Sequence, residues 1–201
     1  MNQTIHVVLI ICIIIFVVVY EYYTNPFAFT IDYKKEIYPE DIFTGISNIC
    51  NSIRKEEMAL EENELRRLVY SFKEDDPKFL QLKSLLFSHT LIDYIHKVTG
   101  KRLEPCPTIP IEYRKYLEGS HMPWHSDIKM LKKQYQYECV LTVDNTSDSI
   151  TQVHKLLYIQ DIHSEPNSLM ITQAHGPFHK VTPVTSGERS IIKFVFYDPR
   201  L

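Results

Sequence analysis

The chain reads as an α+β protein, helices first and then an antiparallel barrel or jelly roll, all preceded by a single transmembrane helix. Three observations point there. The stretch Ile5 to Tyr20 is apolar apart from His6. Between residues 41 and 100, apolar residues recur at three- and four-residue intervals, as on one face of a helix. Beyond Gly100 they gather in short runs rich in Val, Ile, Thr, Tyr and Phe, separated by turn residues. Helices followed by strands, without strict alternation, predict α+β layering.

Residues 1–23 form the expected anchor. A spanning helix needs about 17–25 apolar residues, a length reached once Tyr22 and Tyr23 are counted, and Tyr20, Tyr22 and Tyr23 stand where an interfacial aromatic belt would sit. A cleaved signal peptide would carry a basic start and a small-residue cleavage site; residues 1–6 hold no Lys or Arg, and no A-x-A pattern follows. The expected location is therefore a membrane, single-pass. The first basic residues, Lys34 and Lys35, favour a cytosolic catalytic domain under the positive-inside rule, with a lumenal one left open.

Residues 24–40, with Pro26 and Pro39, read as a linker. Residues 41–100 read as a helical support region. Ile42, Ile46, Ile49 and Ile53 share one face of a first helix, with Pro39 and Asp41 suited to its start. The charged run Lys55 to Arg67 reads as a solvated helix face. A third helix begins near Pro77, carries Phe79, Leu82, Leu85, Leu86, Leu91, Ile92 and Ile95, and stops at Gly100. Residues 101–201 form the β-rich core. Its strand-like runs are Tyr137–Val143, Lys155–Ile159, Ser168–Gln173 and Ser190–Tyr197, with turns at Asp144–Ser149 and Thr185–Gly187.

Composition narrows the function. The formal net charge of -3 offers no basic excess to attract nucleic acid. Of the four cysteines, Cys12 lies in the apolar start and Cys50, Cys106 and Cys139 are scattered, with no CxxC pair. That excludes a disulfide framework and a thiolate zinc site, and leaves small core hydrophobes.

The chemistry gathers at His125-Ser126-Asp127. In extended chain, residues i and i+2 point to the same side, so an imidazole and a carboxylate can converge on one ion. His179 lies far downstream beside a strand-like run. Two histidines and one carboxylate make a facial triad that leaves positions open on Fe(II). His-x-Asp alone is weak. Its company strengthens it: Arg189 follows His179 by ten residues, across Thr185-Ser186-Gly187. A hairpin turn there would set His179 and Arg189 on adjacent antiparallel strands. A guanidinium makes bidentate, charge-assisted pairs with carboxylates.

Taken together, Tyr116-Leu-Glu-Gly119, Trp124-His125-Ser-Asp127, Asn167-Ser-Leu-Met-Ile-Thr and His179 through Pro183-Val-Thr-Ser-Gly187-Glu-Arg189 resemble the 2-oxoglutarate/Fe(II) dioxygenases of the prolyl 4-hydroxylase-like branch. The resemblance covers roughly residues 100–201. It implies a double-stranded β-helix (jelly roll) flanked by N-terminal helices. It also implies hydroxylation of a substrate C–H, with 2-oxoglutarate and O2 going to succinate and CO2. By resemblance the substrate is a peptidyl proline in a protein or peptide, and ascorbate joins Fe(II), 2-oxoglutarate and O2 as a cofactor. Residue by residue, His125, Asp127 and His179 match the iron ligands, Arg189 the residue pairing with the distal 2-oxoglutarate carboxylate, and Tyr116 a co-substrate hydrogen-bond donor. Two departures stand out. Met122 occupies a position where several members have tyrosine, and Asn145 to Thr151 replaces a Gly-rich stretch.

Rival readings are a nucleic-acid demethylase of the same chemistry, which tends to carry further downstream arginines, and a non-catalytic membrane-tethered jelly-roll module, which need not keep every ligand. The pairs His121/His125 and His175/His179 have helical zinc-site spacing, yet Pro123 and Gly176-Pro177 oppose helix at both. Tyr113 and Tyr137 are candidates to point into the barrel, and Trp124 is expected to pack behind the metal shell.

Overall fold

The computed structural model describes residues 3–23, 31–61, 66–131, 135–155 and 158–200. The apolar start is a helix, α1 (Gln3–Tyr23). Its described side chains, Ile5 to Val17, are exposed. Among the described residues no helix is long and apolar enough to cross a membrane. The described residues therefore lend no support to the expected transmembrane helix over residues 1–23 or to the membrane partner it implied.

The expected linker is not wholly irregular. Ile31–Lys34 form β1, paired along its length with β10 (Ser168–Gln173), and Ile37 and Tyr38 are buried. Asn167 ties this segment down: its side chain accepts from the Tyr38 N–H at 3.0 Å and donates to the Tyr38 carbonyl at 2.8 Å.

Among its described residues the helical region holds three α-helices and one antiparallel strand pair. α2 (Glu40–Asn51) buries Ile46, Ile49 and Cys50, as the isoleucine spacing predicts. The described residues of the charged run, 55–61, 66 and 67, are not α-helical. After a 3-10 turn at Lys55–Glu57 come β2 (Ala59–Glu61) and β3 (Arg67–Ser71). Alternation explains the difference: Leu68 and Tyr70 face the helix layer while Arg67 and Val69 turn the other way. The expected third helix is two, α3 (Pro77–Leu86) and α4 (His89–Thr99). Asp76 caps α3 by accepting from the Lys78 N–H at 2.8 Å. The break places the Phe87 ring edge-on to Phe194 and Phe196, at 5.8 and 5.7 Å. Gly100, at φ +64°, ends α4 in the left-handed conformation that glycine adopts without steric cost.

The remaining strands are β4 (Glu104–Pro105), β5 (Glu112–Tyr116), β6 (Met122–His125), β7 (Gln136–Asn145), β8 (Thr151–His154), β9 (Ile159–Ile162), β11 (His179–Val181) and β12 (Arg189–Tyr197). Of the expected strand at Lys155–Ile159, Lys155 follows the end of β8 and Ile159 opens β9, while residues 156–157 lie outside the described residues. The large sheet runs β1-β10-β7-β12-β5-β3-β2, with β4 beside β12; the small sheet runs β6-β11-β8-β9, and neighbours pair antiparallel. Two facing antiparallel sheets make the jelly roll.

Each face of the large sheet has one task. Tyr137, Cys139 and Leu141 on β7, Leu169 and Ile171 on β10, and Ile192, Phe194 and Phe196 on β12 pack against Ile46, Leu82, Leu86, Leu91 and Ile95 of the helices. Fully burying such a side chain contributes about 1.5–3 kcal/mol. Tyr113 and Tyr137 belong to this helix-side layer, not to the barrel interior. Cys50 and Cys139 are free and buried in it, as expected of small hydrophobes. The alternate residues of the same strands face the small sheet.

Candidate metal centre

His125 ends β6, His179 begins β11, and the two are cross-strand partners in the small sheet. Their rings lie 4.3 Å apart between centroids. Both sit in the same local sequence, Pro-aromatic-His: Pro123-Trp124-His125 and Pro177-Phe178-His179. In both, imidazole Nδ1 contacts the carbonyl oxygen of the proline two residues back, at 2.8 and 3.0 Å. Nδ1 therefore carries the proton and Nε2 keeps its lone pair, the tautomer a metal requires. Burial lowers both pKa values: for His125 the neighbouring His179 adds to it, while the Pro123 carbonyl and Asp127 act against it; for His179 the Pro177 carbonyl opposes burial. Neutral imidazole is the ligating form.

Asp127 lies two residues beyond His125 in extended chain, fixed by its carbonyl accepting from the His175 N–H at 2.8 Å. One carboxylate oxygen is 3.7 Å from His125 Nε2, the other 3.7 Å from His179 Nε2. Ligand atoms from His125, Asp127 and His179 all lie within 4.8 Å of one another. The helical histidine pairs do not form, because β6 and β11 are strands; His175 sits in a turn at φ +58°. Trp124 lies behind His125 on the outer face of the small sheet, 38% exposed, edge-on to His154 and beneath Lys180.

Arg189 reaches the same cavity by a different route from the one its spacing suggests. β11 belongs to the small sheet and β12 to the large one, so His179 and Arg189 are not on adjacent strands. Residues 182–188 cross between the sheets and are pinned on the way. Asp148 accepts from the Thr185 and Ser186 N–H groups at 2.9 and 3.2 Å. Gly187, at φ +72°, passes so close to Thr146 that a Cβ would stand 2.3 Å from its carbonyl oxygen. The crossing points Arg189 at the imidazoles from the opposite wall, where it lines one cavity with His125, Asp127 and His179.

Arg189 is buried, 3% exposed as a whole residue. Nη1 donates to Thr151 Oγ1 at 3.1 Å; Nε is buried without a partner. Burial lowers its pKa, and among the described residues no carboxylate pairs with it. A buried, under-partnered cation is costly, and a carboxylate entering the cavity would relieve that cost. The donor set thus fits an ion held by His125, Asp127 and His179 and a dicarboxylate reaching from it to Arg189.

Tyr116 stands beside Arg189. Arg67 on β3, Tyr116 on β5 and Arg189 on β12 are register partners, in one row across the large sheet. Burial raises the Tyr116 pKa, but Arg67, Arg114 and Arg189 outweigh it and the net direction is down. Glu138 on β7 lies beneath Asp127 and is ion-paired to Lys193 on β12. Its pKa is raised, by burial first and then by Asp127, against the pull of Lys193. Arg67, Glu138, Thr151 and Lys193 were not among the sequence candidates. Their signal was period-two alternation, with 138 and 140, and 189, 191 and 193, facing the cavity.

No family model matches the chain, and no curated protein does. Solved structures do. A prolyl-4-hydroxylase from Pseudomonas putida is 13% identical, covering 87% of this chain and 95% of that one, at a TM-score of 0.66. A Trichoplax adhaerens prolyl hydroxylase, in complex with a hypoxia inducible factor peptide fragment, is 11% identical, covering 85% and 84%, also at 0.66. HygX from Streptomyces hygroscopicus, with nickel, 2-oxoglutarate and hygromycin B bound, is 9% identical, covering 86% and 84%, at 0.61. The chain has the fold these oxygenases share.

Proposed function

We propose that this protein is an Fe(II)- and 2-oxoglutarate-dependent dioxygenase that hydroxylates a peptidyl proline. One observation carries the reading. A two-histidine, one-carboxylate cluster shares a cavity with a buried guanidinium that no carboxylate of the described chain neutralises. His125, Asp127 and His179 would hold the iron through their inward-facing atoms. Arg189 would grip the far carboxylate of 2-oxoglutarate, with Thr151 orienting the guanidinium. When bound, iron, 2-oxoglutarate and O2 supply the oxidation of a C–H bond to C–OH, releasing succinate and CO2. The chain contributes orientation, charge and a shielded cavity. The proline substrate is supported by the motif resemblance and by prolyl hydroxylases among the similar structures. Similarity to HygX, which has an antibiotic bound, supports a small-molecule substrate as the second reading.

The test is succinate formation from 2-oxoglutarate with Fe(II), followed by mass spectrometry for a +16 Da product on proline peptides, with Asp127→Ala as control. Succinate without a peptide product favours the second reading. Neither iron binding nor succinate would leave a non-catalytic jelly-roll module.

A further inference from the structure

Arg67 is a buried cation on the cavity wall that the proposed chemistry leaves unexplained. Its side chain is 6% exposed. It is ion-paired through Nε to Glu61 on the neighbouring strand β2. Nη1 faces the cavity, 3.1 Å from the Tyr116 hydroxyl and 3.8 Å from Met122 Sδ. Arg67 thus bridges the two positions at which the sequence respectively matches and departs from the oxygenase pattern.

The direction of the bond to Tyr116 matters. A guanidinium has donors only, so Arg67 occupies an acceptor lone pair of the phenol oxygen. The phenol's own proton is left over, and among the described residues nothing accepts it. Across the ring stands Arg189, its guanidinium 6.0 Å from the Tyr116 centroid, with Arg67 at 5.8 Å on the other side. A hydroxyl held from behind by one cation and flanked by a second is a strong donor toward an anion. The downward shift of the Tyr116 pKa has the same origin.

We propose that Arg67 is a positioning residue for the co-substrate, fixing the Tyr116 hydroxyl so that its proton is presented to a carboxylate of bound 2-oxoglutarate. The inference rests on the oxygenase reading above. The competing explanation is purely structural: Arg67 clamps β2 to β3 through Glu61.

The two are separated by binding of 2-oxoglutarate to oxygen-free, Fe(II)-loaded protein, read by calorimetry. Arg67→Met and Arg67→Lys should weaken binding roughly tenfold, as should Tyr116→Phe. Arg67→Lys keeps a cation for Glu61 should Arg67→Met fold poorly. In a double-mutant cycle, Arg67→Lys should cost little once Tyr116 is Phe, because the group it acts through is gone. Glu61→Gln, which breaks the clamp and leaves the phenol contact, should bind within about twofold of wild type. Independently, the metal-free protein with 13C-labelled tyrosine should show the Tyr116 resonance titrating at higher pH in the Arg67 variants. Wild-type affinity in both Arg67 variants, additive effects with Tyr116→Phe, or a Glu61→Gln loss as large as that of Arg67→Lys would each overturn the proposal. Wild-type protein that binds no 2-oxoglutarate would instead remove the oxygenase reading itself.

Discussion

Replacing Arg189 by Met should make the metal-free protein more stable and its co-substrate binding weaker. Met ends at about the position of Arg189 Nε, so the change removes the charged end of the side chain and keeps its apolar stem. In the native state Arg189 is 3% exposed, donates a hydrogen bond to Thr151, and among the described residues its buried Nε has no partner. Replacing buried charges by apolar groups of similar volume stabilises by about 1–4 kcal/mol, and losing the Thr151 bond returns about 1 kcal/mol of that. The expected net gain is roughly 0–3 kcal/mol, at about 2–4 °C of Tm per kcal/mol for a chain of this size. Binding moves the other way. A charge-assisted hydrogen bond contributes about 1.5–3 kcal/mol, so affinity for 2-oxoglutarate should fall roughly 10–150-fold. At a ligand concentration of about 100 times the wild-type Kd, wild type gains about 2.7 kcal/mol and the variant about 1.4 or less. Calorimetric melts with and without 2-oxoglutarate, in Fe(II)-loaded protein under nitrogen, read the ligand-induced shift; melts of the metal-free protein read the stability gain. A variant that is less stable without ligand, yet keeps its full ligand-induced shift, would show that Arg189 is a structural ion and refute the reasoning.

Three further outcomes are expected. His125→Ala and Asp127→Ala should abolish succinate formation and Fe(II) binding, read by turnover and metal analysis; full activity in His179→Ala would overturn the ligand assignment. Burial holds His125 and His179 below the ordinary histidine range, so the unfolded chain binds more protons as pH drops through about 6.5. Their contribution to stability is therefore present above that pH and lost as pH falls toward the folded values. A His125→Gln/His179→Gln double variant should show a shallower fall in its urea midpoint between pH 7 and 5, and an unchanged slope would contradict the shifts. Gly187→Ala combines a φ of +72° with a Cβ 2.3 Å from the Thr146 carbonyl. It should cost about 2–4 kcal/mol by urea unfolding and also weaken 2-oxoglutarate binding, because the crossing that aims Arg189 must shift.

Much of this protein was legible locally. The His125–Asp127–His179 cluster could be read because two of its members lie two residues apart and the third stands in a motif of its own. α2 could be read from isoleucine spacing, and β10 and β12 from dense β-branched and aromatic runs. The reading failed where local signals were ambiguous. Residues 55–71 are charged enough to resemble a solvated helix, but β3 is stabilised by pairing with β5, from which it is separated by some forty residues. α3 and α4 share one periodicity, and only the rings of Phe87, Phe194 and Phe196 mark the break between them. The apolar start is a helix, yet no described helix is long and apolar enough to be the expected span.

Sequence alone determined the chemistry-bearing residue types, a helix-rich first half and a strand-rich second half, because residue type, spacing and pleat are local properties. Tertiary structure decided what those groups face. Thr185-Ser186-Gly187 is compatible with a hairpin; pinning by Asp148 and the close pass at Thr146 make it a crossing between sheets. That crossing sets Arg189 opposite the imidazoles, and cross-strand register sets Arg67 beside Tyr116. Register and sheet membership are settled by distant backbone partners, which no window of neighbouring residues contains.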